Sequence, residues 1–176
     1  KDGNLFDPFN GKQDLENGII NFIGEPDKRI KEDYLRILRY LRFFLNYSKQ
    51  QHSKETIKKL KINIIGILKL SKERLLDELK KIVKLEILER LSKDQISLEI
   101  VLMIFPEFKN IKIFSKLNST QKDLLREKDF IFLLSLMIID DTDNADYFLY
   151  KFNISKKDQK RIKNIDNFYK ERINSK

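Results

Sequence analysis

From Pro26 onward, apolar residues recur at helical spacing almost to the end of the chain. At 100° per residue, Tyr34, Ile37, Leu38, Leu41, Phe44 and Leu45 fall within roughly a third of the circumference, which predicts a core-facing helix over 29–47. Ile57, Leu60, Ile64, Ile65 and Leu68 predict a second helix over 54–70. Gly66 inside it costs about 1 kcal/mol relative to Ala, so close packing against a neighbour is expected there. A third helix starts at Lys72 and buries Leu75, Leu76, Leu79 and Ile82. Ser71 is its N-cap, Arg74 stands at the third helical position, and Glu73 offsets the N-terminal dipole.

Beyond Val83 the pattern breaks into shorter amphipathic helices, near 85–91, 97–105, 120–127, 130–139, 143–152 and 156–173, with Ser119 or Thr120 and Ser155 as caps. Phe130, Phe132, Leu133, Leu136 and Met137 read as core. Only Ile19-Ile-Asn-Phe-Ile23 departs from helical spacing, and it predicts a strand or an extended arm. The fold class is therefore all-α, a multi-helix module with a short N-terminal linker. Its expected divisions are a linker over 1–25, a helical domain over 26–92 and a second helical body over 93–176.

The polar side of the 29–47 helix changes this picture. Glu32, Asp33, Arg36, Arg39 and Arg42 occupy the arc opposite the apolar stripe. Most such arcs are solvated surface, and a Glu32–Arg36 pair at i,i+4 is worth only a few tenths of a kcal/mol. Yet three arginines at successive i+3 steps repel one another unless an anion or open water faces them. Their choice over lysine, in a chain rich in lysine, points to planar forked donors.

Composition adds a partner class. The 176 residues carry a formal charge of +9 with 36% charged side chains, an excess suited to RNA or another polyanion. A lysine-rich compositional bias accounts equally well for the lysines outside the arginine helix. Lys156, Lys157, Lys160, Arg161 and Lys163 form a basic face near the C-terminal end, either in contact with RNA backbone or simply hydrated. There is no cysteine and a single histidine, His52, so thiolate metal sites and disulfides are excluded and His52 lacks companions for a metal. No signal peptide or membrane span is expected, since the longest apolar run, 130–139, is about half a bilayer crossing. The cytoplasm is the expected compartment.

Glu32-Asp-Tyr-Leu-Arg-Ile-Leu-Arg-Tyr-Leu-Arg-Phe43 resembles the nucleotide-selecting motif E-D-x-L-R-x-x-R-x-x-R-F of the bacterial-type tRNA nucleotidyltransferase (CCA-adding enzyme) and poly(A) polymerase family. Asp7-Pro-Phe-Asn-Gly-Lys-Gln-Asp-Leu15 with Phe22-Ile-Gly24 is similar to the family's segment joining catalytic head to neck. Ser71-Lys-Glu-Arg-Leu-Leu-Asp-Glu-Leu79 is similar to its neck helix, and Phe105-Pro-Glu-Phe108 to a turn in the helical domain that follows. Asn21 stands where the family commonly has a basic residue.

The resemblance implies a neck and body module of an enzyme that adds CCA, or A, to tRNA or other RNA 3′ ends from ATP and CTP. Asp33, Arg36, Arg39 and Arg42 would bind the nucleotide, with Glu32 orienting Arg36. The Mg²⁺-binding aspartates would belong to a catalytic head in cis, absent from these residues, so the chain alone is expected to be inactive. Asp140-Asp-Thr-Asp143 lacks the strand and glycine context of such a site and reads as a helix end and turn. A free-standing helical RNA-binding module is the alternative, and a helical bundle for protein contacts a third reading.

Overall fold

The computed structural model describes residues 6–174, and among them the secondary structure is helical. The chain forms two compact units, the first ending at Ile67 and the second starting at Leu68. Ser92, where a division was expected, lies within the second unit, near the end of one of its helices.

The first unit contains α1 (Gly11–Asn17), α2 (Pro26–Glu32), α3 (Arg36–Tyr47) and α4 (Lys54–Asn63). Helix α1 escapes a periodicity reading because its cap lies upstream: the Asp7 carboxylate accepts from Gly11 N at 2.7 Å and Lys12 N at 2.9 Å. Those backbone donors, Lys12 first, hold the Asp7 carboxyl below its ordinary range. At its far end Gly18 takes φ +64°, and its carbonyl accepts from Lys49 N and Ser48 Oγ just beyond α3. A Cβ on Gly18 would lie 2.7 Å from Lys49 N, so glycine is required twice over. Residues 19–23 form the extended arm, not a strand, and Phe22 stacks on Tyr40 with ring centroids 5.5 Å apart.

The single helix expected over 29–47 is two helices. Asp33 closes α2 in an extended conformation (φ −154°, ψ 103°), and its carboxylate accepts from Leu35 N at 3.1 Å. Short acidic side chains compete in this way for backbone donors and interrupt helices. The break also serves the core. In a continuous helix Leu35 would point about 120° away from the centre of the apolar stripe; in the structure it is buried, as is Ile30.

The second expected helix also changes character. It runs as α4 to Asn63 and tightens into a 3₁₀ segment, Ile64–Lys69. With three residues per turn, Gly66 and Ile67 turn inward while Ile65 and Leu68 point to solvent. The close neighbour of Gly66 is Tyr34, whose ring an added Cβ would overlap.

The second unit contains α5 (Lys72–Ile82), α6 (Leu85–Lys93), α7 (Gln95–Ile104), the 3₁₀ turn Ile111–Ser115, α8 (Ser119–Arg126), α9 (Phe130–Ile138), α10 (Asn144–Phe152) and α11 (Lys156–Asn174). Ser71 caps α5 by accepting from Arg74 N. Helix α8 is capped one residue before the expected position, by a reciprocal Asn118–Gln121 capping box. Phe105, Phe108, Phe148 and Phe152 form a closed set of ring contacts, 4.6 to 5.9 Å between centroids, at the centre of the core. In the Pro106–Glu107 turn between two of these rings, Glu107 is buried and Pro106 is exposed. Asn144 Nδ2 donates to Glu107 O and Ile138 O, and the buried Glu107 carboxylate accepts from Lys151 Nζ at 2.7 Å.

Candidate functional site

In the first unit, the α2–α3 junction gathers the charged residues singled out by the sequence. Glu25 caps α2 by accepting from Asp27 N and Lys28 N, with Pro26 at the first helical position. Asp27 then ties α2 to α4, accepting from Asn63 Nδ2 at 2.8 Å. Lys31, and after it Asn63, hold the Asp27 carboxyl below its ordinary range. The platform beneath the junction is thus held by side-chain bonds as well as by burial.

On that platform Glu32 Oε2 accepts from two guanidinium groups, Arg29 Nη1 at 2.6 Å and Arg36 Nη1 at 2.8 Å. Arg36 Nη1 also donates to Arg29 O at 2.6 Å. The hydrogen bond from Arg36 leads the causes that lower the Glu32 carboxyl below its usual range. These contacts use only Nη1 of Arg36. Its Nη2 and Nε donors are unengaged among the described residues, on a side chain 26% exposed. A guanidinium pinned along one edge offers the other edge in a fixed orientation.

Asp33 is not one helical turn from Arg36 on a continuous arc, as the sequence suggested; it lies in the break between α2 and α3. One carboxylate oxygen takes Leu35 N, and the other faces Arg39 Nη1 at 3.7 Å. Arg42 sits over the ring of Phe43, 4.3 Å from the centroid. The three arginines thus face three different groups, Glu32, Asp33 and an aromatic ring, and this relieves the repulsion expected of an aligned row.

His52 was set aside as a ligand, and its surroundings supply a packing role. Its ring stacks on Phe44 with centroids 3.5 Å apart, and Nδ1 shares a hydrogen bond with Tyr40 Oη at 3.1 Å.

In the second unit, the five basic residues singled out on α11 divide. Arg161 makes a two-pronged pair with Asp129, at 2.7 and 3.1 Å, which fastens α11 to the cap of α9. The bond from Arg161 is also the leading cause that lowers the Asp129 carboxyl. Lys163 lies 3.4 Å from Asp146. Lys156, Lys157 and Lys160 are exposed, with no ion pair among the described residues.

Asp140 forms a turn: it accepts from Thr142 N and Oγ1 and pairs with Lys109 at 3.1 Å. Burial pushes its carboxyl up, but these bonds outweigh that and hold it low. Among the described residues no group of three or more His, Cys, Asp or Glu could hold a metal ion, so a two-metal centre does not fit them. No helix among them is long and apolar enough to cross a membrane.

The α2–α3 junction thus presents a guanidinium held along one edge, with carboxylates nearby, on an all-helical module. No family model matches the chain. The chain is 30% identical over 162 residues to the CCA-adding enzyme of Staphylococcus saprophyticus, covering 92% of the chain and 38% of that enzyme. It is 46% identical over 84 residues to the human mitochondrial CCA tRNA nucleotidyltransferase 1, covering 47% of the chain and 19% of the relative. The CCA-adding enzyme of Staphylococcus epidermidis is 43% identical over 79 residues, 45% of the chain and 20% of the relative. The chain belongs to the CCA-adding tRNA nucleotidyltransferase family, and it spans between a fifth and two fifths of the length of these relatives.

Proposed function

We propose that these residues select the incoming nucleotide, and help hold the RNA, in a protein that adds CCA to tRNA 3′ ends. Asp33 and Arg36 act as a protein template. Cytosine and adenine each present an amino donor beside a ring-nitrogen acceptor, so a carboxylate accepting from the amino group and a guanidinium donating to the nitrogen suit both. Uracil and guanine present an oxygen acceptor beside an N–H donor. Each would face its own kind, a penalty of about 1–3 kcal/mol per unsatisfied group in a desolvated site.

The observation that carries this reading is the Nη1 clamp on Arg36 by Glu32 and the Arg29 carbonyl, which leaves the opposite edge of the guanidinium to donate. Arg39 and Arg42 meet phosphate or sugar, and their contribution does not depend on the base. We assign nucleotidyl transfer itself, with its Mg²⁺, to a catalytic head in cis, a reading supported by the chain spanning only 19% to 38% of such relatives. ATP, CTP and tRNA are the substrates, the cytoplasm is the compartment, and the chain alone transfers no nucleotide.

Single-nucleotide incorporation by the complete protein tests the assignment. Asp33→Ala is expected to lose preference for C and A over U and G as well as rate, whereas Arg42→Ala weakens all four nucleotides alike. An Asp33→Ala enzyme that discriminates as well as the unmodified one would return this arc to solvated surface.

A further inference from the structure

The sequence offered no role for two tyrosines of α10. Phe148 and Phe152 anchor this helix in the core of the second unit, and Tyr147 and Tyr150 lie on its opposite face, 58% and 87% exposed. Aromatic rings on a solvent face leave apolar area in water with no packing return. Residues three apart on a helix are also neighbours, offset by about 4.5 Å along its axis. The two rings therefore project into solvent from neighbouring positions on a rigid support.

They border an open groove of 710 Å³ that Lys72, Lys151, Gln159 and Lys163 also line. Lys156 and Lys160 continue the Lys163 face along α11, at i and i+4 of the same stripe. Two acidic groups answer these cations. Glu107 is buried and neutralises Lys151, whose ammonium it holds at the rim. Asp146 pairs with Lys163 at 3.4 Å, but both side chains are more than half exposed, so the pair is screened and open to exchange for a phosphate.

We infer that this groove binds single-stranded RNA, with bases stacked on Tyr150 and Tyr147 and the backbone following Lys72, Lys163, Lys160 and Lys156. Aromatic platforms interleaved with ammonium groups are the chemistry that single strands reward, because every base has a π-face and every linkage a charge. A duplex offers the same charge but keeps its bases stacked on one another. The site therefore favours an unpaired end over a helix. This inference deepens the RNA-holding part of the function proposed above and rests on it, but it is independent of base reading at Asp33.

Fluorescence anisotropy of the whole chain, with a labelled oligoadenylate and with an RNA duplex of equal length, tests it. The oligoadenylate should bind more tightly. Tyr150→Ala should weaken it roughly five- to hundredfold with an unchanged salt slope, while Tyr150→Phe, which keeps the ring, binds as the unmodified chain does. Tyr150 is exposed, so circular dichroism should show both variants equally helical. If Tyr150→Ala binds undiminished while Lys156→Ala and Lys160→Ala lose affinity, RNA is held by charge alone and the stacking groove is overturned. If the unmodified chain binds neither RNA, the RNA-holding reading falls with it.

Discussion

The junction of α2 and α3 and the outer face of α11 carry the same kind of charge and treat it in opposite ways. Arg36 is bonded through one nitrogen to Glu32 and to a backbone carbonyl. Lys156 and Lys160 stand in solvent. A cation with a fixed edge can tell a donor from an acceptor, whereas a hydrated ammonium on a flexible stem can only attract. Under the function proposed above, the positive excess of the chain is two devices, one for choice and one for grip, and separate experiments can break that division.

The largest expected effect concerns the lysine that fits neither description. Lys151 neutralises Glu107, which is 2% exposed. Lys151→Met should cost about 3 kcal/mol or more in stability, because it leaves a buried carboxylate unpaired; urea denaturation measures it. Next comes Gly66→Ala, whose new Cβ would collide with Tyr34 beside the helix break. A loss of about 1–3 kcal/mol is expected from overpacking. Nucleotide selectivity should fall with it, since the displaced ring belongs to the residue that follows Asp33.

Acid should then separate the two devices. Arg36 lowers the folded-state pKa of Glu32, so the pair is intact above the ordinary carboxylate range and is lost as pH falls through the depressed value. Base selectivity should decay on that descent while RNA binding through lysines persists. A selectivity profile that stays flat as pH falls through that depressed value, with the protein still folded, would break the comparison. The smallest effect is expected for Lys156→Ala: stability unchanged, and the salt dependence of RNA binding reduced by somewhat under one unit of slope, about 0.7 for each phosphate no longer neutralised.

Much of this was legible in the sequence, and the failures are informative. The 3.6-residue period located the helices of the second unit to within a few residues, because helices such as α9 and α10 each bury an apolar set at helical spacing. It failed where side chains compete with the backbone. Asp33 looked like one more polar position on a long helix, and only its capture of Leu35 N makes it a break. Asp7 caps α1 from four residues upstream, a span that no apolar period records. The motif around Arg36 named the residues of the candidate site but not the clamp. Arg29 takes part through its guanidinium on Glu32 and also, toward Arg36, through its carbonyl, which any residue could supply. Tyr147 and Tyr150 blended into the apolar pattern of an amphipathic helix, and only their exposure sets them apart.

The central claim is that the orientation of the Arg36 guanidinium, beyond its charge, selects the base. Arg36→Lys in the complete protein keeps the charge and removes the fork, so single-turnover incorporation of each of the four nucleotides isolates geometry from electrostatics. The account predicts that preference for C and A over U and G falls by about tenfold or more, as for removal of a bidentate hydrogen-bond pair worth about 1–3 kcal/mol, with RNA affinity unchanged. An Arg36→Lys enzyme that retains full selectivity would contradict it.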